Sequence, residues 1–500
     1  MTMKHLDFSI FNKDYRWLKN DDVFSYIESL LYIIKEQQKQ IELQQETKDK
    51  QQDQINEQQK KIEELEEKVN KNSQNSSKPP SSDWYNKKSI NTRKKSGKSR
   101  WGQKWHKGCT LLKTDNPDEV IISDIKVCSR CGKDISWNPL INKESRQVID
   151  IPKIKIRTTE YVCGDKECPH CRSLNTSTFS EDISKSVQYG NNVKALSVYL
   201  HIYHMLPYER IKEFWEVFGL NISKWSINNF IKNGYNNLEE IEEKIKDSLI
   251  NSGIIHVDET GIRVNKKISR IHVTCNDNYT YYSPNEKRGT EAMKAIGILE
   301  NYKWKAVHDH LAAYKTFEDI LHIFCNAHHL RELDWVVENE KKKWAKKMIE
   351  LLLEILSMVW KALEEGNSKL SDEELLSNSN RYRNILSEGE KEYVSNDNNW
   401  KAGRKKRKKW HNLLIRLRKE EEGTLKFMYD FNVPFTNNLA ERDLRMTKVK
   451  LKISWCFRSK TGSEHYCRIK SYISTIKKQG MDIFSSISSI FSKNIIQPSF

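Results

Sequence analysis

An aspartate ends an apolar run near the middle of the chain, in the stretch GIIHVDETGIRV. The run up to Asp258 and the alternating stretch SRIHVTCNDNYTYYS that follows predict two strands paired around a loop at residues 265–267. A carboxylate in a buried strand is costly unless it is hydrogen-bonded, paired or bound to a cation. Asp258 is therefore either a hydrogen-bonded residue at a strand end or part of an acidic site.

Two other acids favour the acidic site. The stretch KWKAVHDHLAAYKTF predicts a strand ending near Asp309, although by itself this residue would be interpreted as a helix cap. After a long helical insertion, TNNLAERDLRMTKVK predicts a helix carrying Glu441, which by itself would be a surface residue paired with a neighbouring arginine. The stretch GTEAMKAIGILENY predicts a helix and another helix is predicted after Asp309, so the order β-β-helix-β-helix-β predicts a mixed α/β fold whose sheet can bring Asp258 and Asp309 together. With Glu441 they would form a site for two Mg²⁺ (or Mn²⁺) ions, which prefer oxygen ligands and promote in-line displacement at phosphorus.

The stretch HIFCNAHHLREL predicts a strand running into a helix and contains Cys325, His328 and Arg331. Cys325 and His328 have the spacing of metal ligands, but no second pair adjoins them. A packed cysteine and a hydrogen-bonded histidine are therefore the default interpretation.

The charge of the chain favours a polyanionic partner. It has 85 Lys and Arg against 68 Asp and Glu, a net charge of +17 over 500 residues. Basic residues are concentrated in an arm at 87–107, in a run at 401–410 and downstream of Glu441, where no acid occurs between 444 and 463. Such a groove suits a phosphate backbone, whereas the arm could equally be a solvated linker.

Two CxxC motifs, CSRCG and CPHC, predict a structural zinc ribbon with four thiolate ligands. The ligands are Cys128, Cys131, Cys168 and Cys171. The intervening RQVIDIPKIKIRTTEYVC is rich in β-branched residues and predicts strands. Cys163 is a spare thiol that could replace one ligand or be buried.

Branched residues repeat every seven positions from Ile27 to Val69, with a lysine at one of these positions. The intervening d positions are mostly glutamine, so the pattern predicts a weak dimeric coiled coil, with a solvated single helix as the alternative.

Further on, LPYERIKEFWEVFGLNISKWSINNFIKNG predicts two helices separated at Gly219, with Ser223 capping the second. This pattern is typical of a DNA-reading helix-turn-helix and also of a core scaffold.

No run of about 18 apolar residues and no apolar signal core occurs, and cysteine usage fits a reducing compartment, so we expect a cytoplasmic protein without a membrane partner. The predicted segments are a helix and coiled coil (1–76), a basic linker (77–110), a zinc-binding ribbon (111–180), a helical region that could bind DNA (181–248), a first core part (249–334), a helical insertion (335–430), a second core part with Glu441 (431–480) and a C-terminal tail (481–500).

Several motifs in one order resemble the transposases of the insertion sequence 66 family. They are SSKPPSSD, the cysteine knuckles, HVDET, VHDHLAAYK, CNAHHLREL and TNNLAERDLRMTKVKLKISWCFRS. The resemblance covers nearly the whole chain. It implies an RNase H-like catalytic core interrupted by a helical insertion, with a DDE triad that falls on Asp258, Asp309 and Glu441. One departure is YVCGDKECPHC, which has three cysteines where the family has a close pair, so the fourth zinc ligand stays open.

The resemblance also implies a reaction and partners. Water would free a 3′-hydroxyl at the ends of a bacterial insertion element, and this hydroxyl would attack target DNA. The residues expected to support catalysis or bind DNA are His328, Arg331, Asn438, Arg442, Arg445, Lys448 and Lys450. Self-association and accessory transposition proteins are further expectations. The alternatives are a coiled-coil zinc-ribbon DNA-binding regulator without catalysis and an RNA-processing nuclease.

Overall fold

A computed structural model describes residues 21–70, 111–151, 154–392 and 408–500. The chain divides into two compact units, Met1–Ser89 with Asp334–Lys341, and Ile90–Leu333 with Lys342–Phe500. The predicted basic arm and residues 401–407 of the predicted basic run lie outside the described residues. No helix in the described ranges is long and apolar enough to cross a membrane.

The N-terminal region forms one long helix, α1 (Asp21–Asn70). Its apolar residues at heptad positions, including Ile41 and Ile55, are exposed in the single chain. The predicted helix is therefore confirmed, whereas its pairing with a second copy stays a prediction.

The cysteine region is mostly irregular. Its two strands, β1 (Asp165–Glu167) and β2 (Leu174–Thr176), are short and form an antiparallel pair around the second CxxC motif. The strands predicted between the two motifs do not form in residues 146–151 and 154–162, and the apolar side chains there are exposed except for Ile156, which packs against the core. That prediction was wrong because β-branched residues form strands only when a partner and a buried face are available.

A helical region follows, with α2 (Asn191–Val198), a π-helical turn (Tyr199–Tyr203), α3 (Tyr208–Val217), α4 (Lys224–Asn237) and α5 (Glu239–Ile250). The predicted break is confirmed, since Gly219 has a φ of 76°. The predicted cap is confirmed too, because Ser223 Oγ accepts a hydrogen bond of 3.0 Å from the Ser226 amide. The buried residues of this region belong to the same apolar core as the central sheet, and DNA binding by its exposed side stays a prediction.

The central sheet has five strands, namely β3 (Ile254–Val264), β4 (Lys267–Cys275), β5 (Thr280–Asn285), β6 (Lys305–His308) and β7 (Leu321–Phe324). Their order is β5-β4-β3-β6-β7; the first three are antiparallel, and β6 and β7 run parallel to β3. The predicted hairpin is confirmed, and both turn residues, Asn265 and Lys266, have positive φ. The separate strand β5 was missed because Asn276 turns the chain by accepting hydrogen bonds from two following amides.

Two short helices, α6 (Thr290–Ile296) and α7 (Ile298–Asn301), connect β5 to β6. They were predicted as one helix, but Gly297 separates them with a φ of 78°. A 3-10 turn (Tyr314–Thr316) takes the place of the helix predicted after Asp309.

The predicted insertion is helical. Helix α8 (Asn326–Glu340) leads from the first core part into it, and its described part also contains α9 (Lys343–Glu364), α10 (Asp372–Lys391), α11 (Lys409–Lys419) and α12 (Glu421–Tyr429). Trp344 is buried among these helices, and Ser371 with Glu374 forms a capping box at the start of α10.

The last three helices are α13 (Asn438–Ser454), α14 (Lys460–Lys478) and α15 (Ile483–Ser489). Between α13 and α14, Phe457 makes two backbone hydrogen bonds with the β3–β4 hairpin, to Arg263 and to Asn265, each of 2.8 Å. Residues 481–500 were predicted as a tail, but Ile487 is buried in the core, and Tyr472 OH donates to the carbonyl of Ile496 at 2.6 Å.

Helices close both edges of the sheet. At β5, the amides of Thr280 and Tyr282 donate to the hydroxyls of Thr475 and Ser471 on α14, at 3.1 and 2.8 Å. At β7, α12 approaches through Gly423, where a Cβ atom would clash with the carbonyl oxygen of His322. Edge amides that are satisfied in this way cannot pair with another strand.

We expect Gly423→Ala to destabilise the protein by about 1–3 kcal/mol, because the added methyl group would also lie 2.8 Å from Phe324 Cδ2. The intrinsic preference of alanine for helices opposes this effect by only about 1 kcal/mol. Urea unfolding measures the change. The control is Gly253→Ala, where the new Cβ meets no atom within 4 Å. A Gly423→Ala protein as stable as the wild type would contradict the close approach of α12.

Candidate active site

The parallel pairing of β3 and β6 brings two of the predicted acids together. Ile254 pairs with Lys305 and His256 with Val307, and the same offset carried two residues further sets Asp258 beside Asp309. Asp309 directly follows β6. Both carboxyl groups therefore lie near the same place on the sheet.

The environment of Asp258 shows that the third acid is also near. Its carboxylate accepts a hydrogen bond of 2.8 Å from the Glu259 amide. Burial, followed by the negative charges of Glu259, Asp309 and Glu441, raises the pKa of Asp258 to about 8. Three carboxylates that interact across the sheet form a site of concentrated negative charge, which is the electrostatic setting of a cation site.

Asp309 uses one carboxylate oxygen to hold its own loop. Oδ1 accepts a hydrogen bond of 2.9 Å from the Leu311 amide. This is the local capping interaction that the isolated sequence motif suggested. Since a carboxylate has two oxygens, the bond is compatible with a ligand role for the same residue.

Glu441 lies in the first turn of α13, where three residues of the CNAHHLREL motif surround it. Arg331 Nη2 lies 3.5 Å and His328 Nδ1 3.9 Å from Glu441 Oε1. The ligand atoms of Cys325, His328 and Glu441 all lie within 4.8 Å of one another. The arginine that contacts Glu441 thus comes from α8 and not from its own helix.

A buried asparagine, Asn437, joins these elements. Asn437 occupies the N-cap position of α13, but its side chain makes no capping bond. Instead its amide nitrogen donates to the Val257 carbonyl at 2.9 Å, and its amide oxygen accepts from His256 Nδ1 at 2.9 Å. Its backbone N–H donates to Cys325 Sγ at 3.1 Å. Glu441 is therefore positioned against β3 and the start of α8 by one residue.

A fourth acid was missed. Glu259 is buried next to Asp258, and its carboxylate accepts hydrogen bonds from Arg288 Nε at 2.8 Å and from Tyr314 OH at 3.1 Å. Burial and the charge of Asp309 raise its pKa, which Arg288 lowers. Its position directly after Asp258 in the DET motif was the available sequence signal. The paired Arg288 makes it a structural neighbour of the site.

The loop after Asp309 is braced by the insertion. His310 Nδ1 lies 2.9 Å from Glu420 Oε2, at the start of α12, and Lys315 contacts the same carboxylate. On its other side His310 contacts His329, whose Nδ1 donates to Asn326 Oδ1 at 2.9 Å. The contacts of His310 and Lys315 with Glu420 could not be predicted from the sequence, because the partners lie more than 100 positions apart.

An exposed face of α13 carries the predicted basic residues. Residues four and seven positions after Glu441 return to its side of the helix, so Arg445 and Lys448 lie on that side. The exposed members of the predicted set are Asn438, Arg442, Arg445 and Lys448. Within the described residues none of these basic side chains forms an ion pair with an acid.

Lys450 does not belong to this exposed face. Its side chain is buried, with Nζ 5.2 Å from the ring centroid of Tyr466 and 5.5 Å from that of Phe457. Burial lowers the pKa of Lys450 to about 8.

Both CxxC motifs form the same tight turn. In each, the amide of the first cysteine donates to the carbonyl five residues later at 2.9 Å, namely Lys133 after Cys128 and Ser173 after Cys168. Hydrogen bonds from Cys131 and Arg130 lower the pKa of Cys128, and those from Ser173 and Cys168 lower the pKa of Cys171. The four thiols are not gathered: within the described ranges, Cys325, His328 and Glu441 are the single group of at least three residues positioned to hold a metal ion.

The raised pKa of Asp258 predicts how the stability of the metal-free protein depends on pH. The folded protein keeps this proton up to about pH 8, whereas the unfolded chain releases it near pH 3.8. The contribution of this group to stability is therefore complete below about pH 4 and is lost as the pH rises towards 8. Because Asp258→Asn cannot ionise, the variant keeps the stability that the wild type loses, and the difference between their melting temperatures should grow as the pH rises. Each kcal/mol of unfolding free energy kept in this way should raise the melting temperature by about 2–4 °C.

Thermal unfolding in EDTA at pH 5, 7 and 9 measures this difference. The control is Asp319→Asn at an exposed position, which should shift the melting temperature equally at all three values. A difference for Asp258→Asn that stays constant with pH would show that Asp258 ionises normally in the folded protein.

Comparison with known proteins places this geometry in a family. A family model described as Transposase IS66 family matches residues 186–465, which is more than half of the chain and includes the sheet, Asp258, Asp309 and Glu441. A model described as a family of unknown function (DUF6444) matches residues 29–111. The comparison with curated proteins gives no match. The resemblance seen in the sequence motifs is thus confirmed, and the chain belongs to the Transposase IS66 family.

Proposed function

We propose that this transposase cleaves DNA at the ends of an insertion element and joins the freed 3′ ends to target DNA, with Asp258, Asp309 and Glu441 as its catalytic triad. The proposal rests on the β3–β6 register, which sets Asp258 beside Asp309, and it is supported by the charge of Glu441, which acts on Asp258. The strand order β5-β4-β3-β6-β7 supports an RNase H-like core around them.

The donor set fits two hard divalent ions. Carboxylate oxygens are the ligands that Mg²⁺ and Mn²⁺ prefer, and a carboxyl group whose pKa is raised by its neighbours gains most from a bound cation. Ions held by Asp258, Asp309 and Glu441 would supply the charge that activates the attacking hydroxyl and stabilises the leaving oxygen. Mg²⁺ is the expected ion, and Mn²⁺ can replace it.

The protein's own residues contribute by holding the three acids in place. Asn437 fixes the first turn of α13 against β3, and Arg331 orients the Glu441 carboxylate. Glu420 of the insertion holds the loop after Asp309 through its ion pair with Lys315. Pre-positioned acids reduce the reorganisation that the reaction requires.

DNA would follow the exposed face of α13. Arg442, Arg445 and Lys448 can neutralise successive phosphates there, beside Glu441, and Asn438 can donate hydrogen bonds to the backbone. The proposed partners are therefore element-end and target DNA. Self-association through α1, accessory transposition proteins and a bacterial cytoplasmic setting stay part of the proposal.

A structural zinc ion fits the two CxxC turns, because each places two thiols close together and hydrogen bonds lower the pKa of one of them, Cys128 in the first turn and Cys171 in the second. Cys128, Cys131, Cys168 and Cys171 would hold it when the two turns come together. The non-catalytic regulator is not favoured, because the transposase family match spans the segments that carry all three acids.

The catalytic proposal predicts that Glu441→Gln lowers Mg²⁺-dependent strand transfer at least about 100-fold, because an amide is a poor ligand for a hard cation. The assay uses element-end DNA with pre-cleaved 3′ ends and a plasmid target. The matched control, Glu243→Gln on the surface of α5, should retain wild-type activity. Equal activity of Glu441→Gln and wild type would remove Glu441 from the mechanism.

The DNA proposal predicts that Lys448→Ala weakens binding to DNA of any sequence and reduces the slope of log K against log salt by about 1. Fluorescence anisotropy between 50 and 200 mM salt measures the slope. Lys303→Ala is the control, since this exposed lysine precedes β6 and thus lies at the strand end away from Asp309. An unchanged slope for Lys448→Ala would place the DNA elsewhere.

A further inference from the structure

A second set of metal-ligand atoms lies beside the carboxylate pair. It consists of the Cys325 thiol between β7 and α8, the His328 imidazole in the first turn of α8 and the Glu441 carboxylate in the first turn of α13. The three ligand atoms lie within 4.8 Å of one another. Sulfur and nitrogen donors select soft divalent cations such as Zn²⁺, whereas Mg²⁺ requires oxygen donors.

The histidine provides an independent indication of a missing ligand. His328 Nδ1 is fully shielded from solvent and has no hydrogen-bond partner in the described part of the chain. Its separation of 3.9 Å from Glu441 Oε1 is too long for a hydrogen bond. A buried nitrogen without a partner costs free energy, and a cation between the imidazole and the carboxylate would remove that cost.

The cysteine is arranged as a thiolate ligand would be. Cys325 is completely buried, and its Sγ accepts a backbone hydrogen bond of 3.1 Å from Asn437. Hydrogen bonds of this kind stabilise the negative charge of metal-bound sulfur. The same asparagine fixes the start of α13, so Cys325 and Glu441 are held on backbone segments that are bonded to each other.

We propose that Cys325, His328 and Glu441 bind one Zn²⁺ ion, with the remaining coordination position open to water or to a phosphate oxygen. Glu441 cannot coordinate Zn²⁺ and the catalytic ions fully at the same time. Zn²⁺ binding therefore moves Glu441 away from Asp258 and Asp309 and inhibits the reaction. Only this inhibitory consequence rests on the proposed catalytic function. The ligand atoms approach from their present separation by rotation of the His328 and Glu441 side chains.

Arg331 opposes this ion. Its guanidinium lies 3.5 Å from Glu441 Oε1, and a positive charge at that distance repels a bound cation. Replacement by glutamine, which removes the charge, should therefore tighten Zn²⁺ binding about threefold to tenfold.

Co²⁺ is the spectroscopic probe, because Co²⁺ bound to thiolate absorbs in the near ultraviolet and tetrahedral Co²⁺ absorbs strongly in the visible. The full-length wild type, Cys325→Ser and His328→Gln proteins are loaded with Zn²⁺, and gel filtration removes the excess metal. Each protein is then titrated with Co²⁺. The difference between wild type and variant cancels the contribution of the CxxC thiols. The matched control is Cys275→Ser, which alters another completely buried thiol on β4.

We expect wild type and Cys275→Ser to hold one equivalent of thiolate-bound metal that Cys325→Ser lacks. This equivalent is detected either as Zn²⁺ that Co²⁺ displaces or as Co²⁺ that the protein takes up. His328→Gln should weaken it at least about tenfold, and circular dichroism verifies that each variant is folded. Equal metal content and equal spectra for wild type and Cys325→Ser would overturn the site. If Cys325→Ser does not fold, His328→Gln alone decides the matter, and unchanged affinity in that variant overturns the site as well.

Strand transfer in Mg²⁺ with added Zn²⁺ tests the inhibitory consequence. Each protein's rate is compared with its own rate without Zn²⁺. The Zn²⁺ concentration that halves this rate should be at least about tenfold higher for Cys325→Ser than for the wild type. Equal sensitivity in both proteins would overturn the inhibition while leaving the binding site in place. Absence of strand transfer in every protein, together with a cysteine-dependent cobalt band, would refute the proposed function and not the metal site.

Discussion

The candidate site depends on one buried amide. Asn437 bonds to two residues of β3 through its side chain and to Cys325 through its backbone, so three segments that are far apart in sequence meet at one residue. Buried polar groups of this kind are costly unless all of them are satisfied. The requirement that each bond be made specifies where α13 begins relative to the sheet, and hence where Glu441 lies relative to Asp258.

The insertion contributes to the same geometry from the other side. Gly423 lets α12 lie against β7, and Glu420, just before that helix, reaches the loop that follows Asp309. The helices between β7 and α13 thus do more than lengthen the chain. They carry a charged residue, Glu420, to the loop that follows Asp309, so changes in the insertion would alter the position of Asp309.

Much of the core could be predicted from the sequence because its signals are local. The apolar run ending at Asp258, the strand before Asp309 and the helix of Glu441 each follow from the periodicity of fewer than 20 residues. The bonds of Asn437, the pairing of Glu259 with Arg288 and the contact of His310 with Glu420 could not be predicted, because they join side chains from distant segments. The strands expected near residue 150 do not form for the opposite reason: their composition is favourable, but most of their apolar side chains, such as Val148 and Ile151, are exposed.

Helix α13 is bonded to the β3 hairpin at both of its ends. Asn437 bonds to Val257 before the helix, and Phe457 bonds to Arg263 after it. A helix anchored in this way can neither slide along its axis nor turn about it without breaking bonds at one end. The stretch from Glu441 to Lys452 spans about 16 Å at a rise of 1.5 Å per residue, close to the length of five nucleotides at about 3.4 Å each. A DNA strand lying along this face would therefore keep a constant position relative to Glu441. The length of α13 would then set the distance between the bond to be cleaved and the last phosphate that the helix contacts.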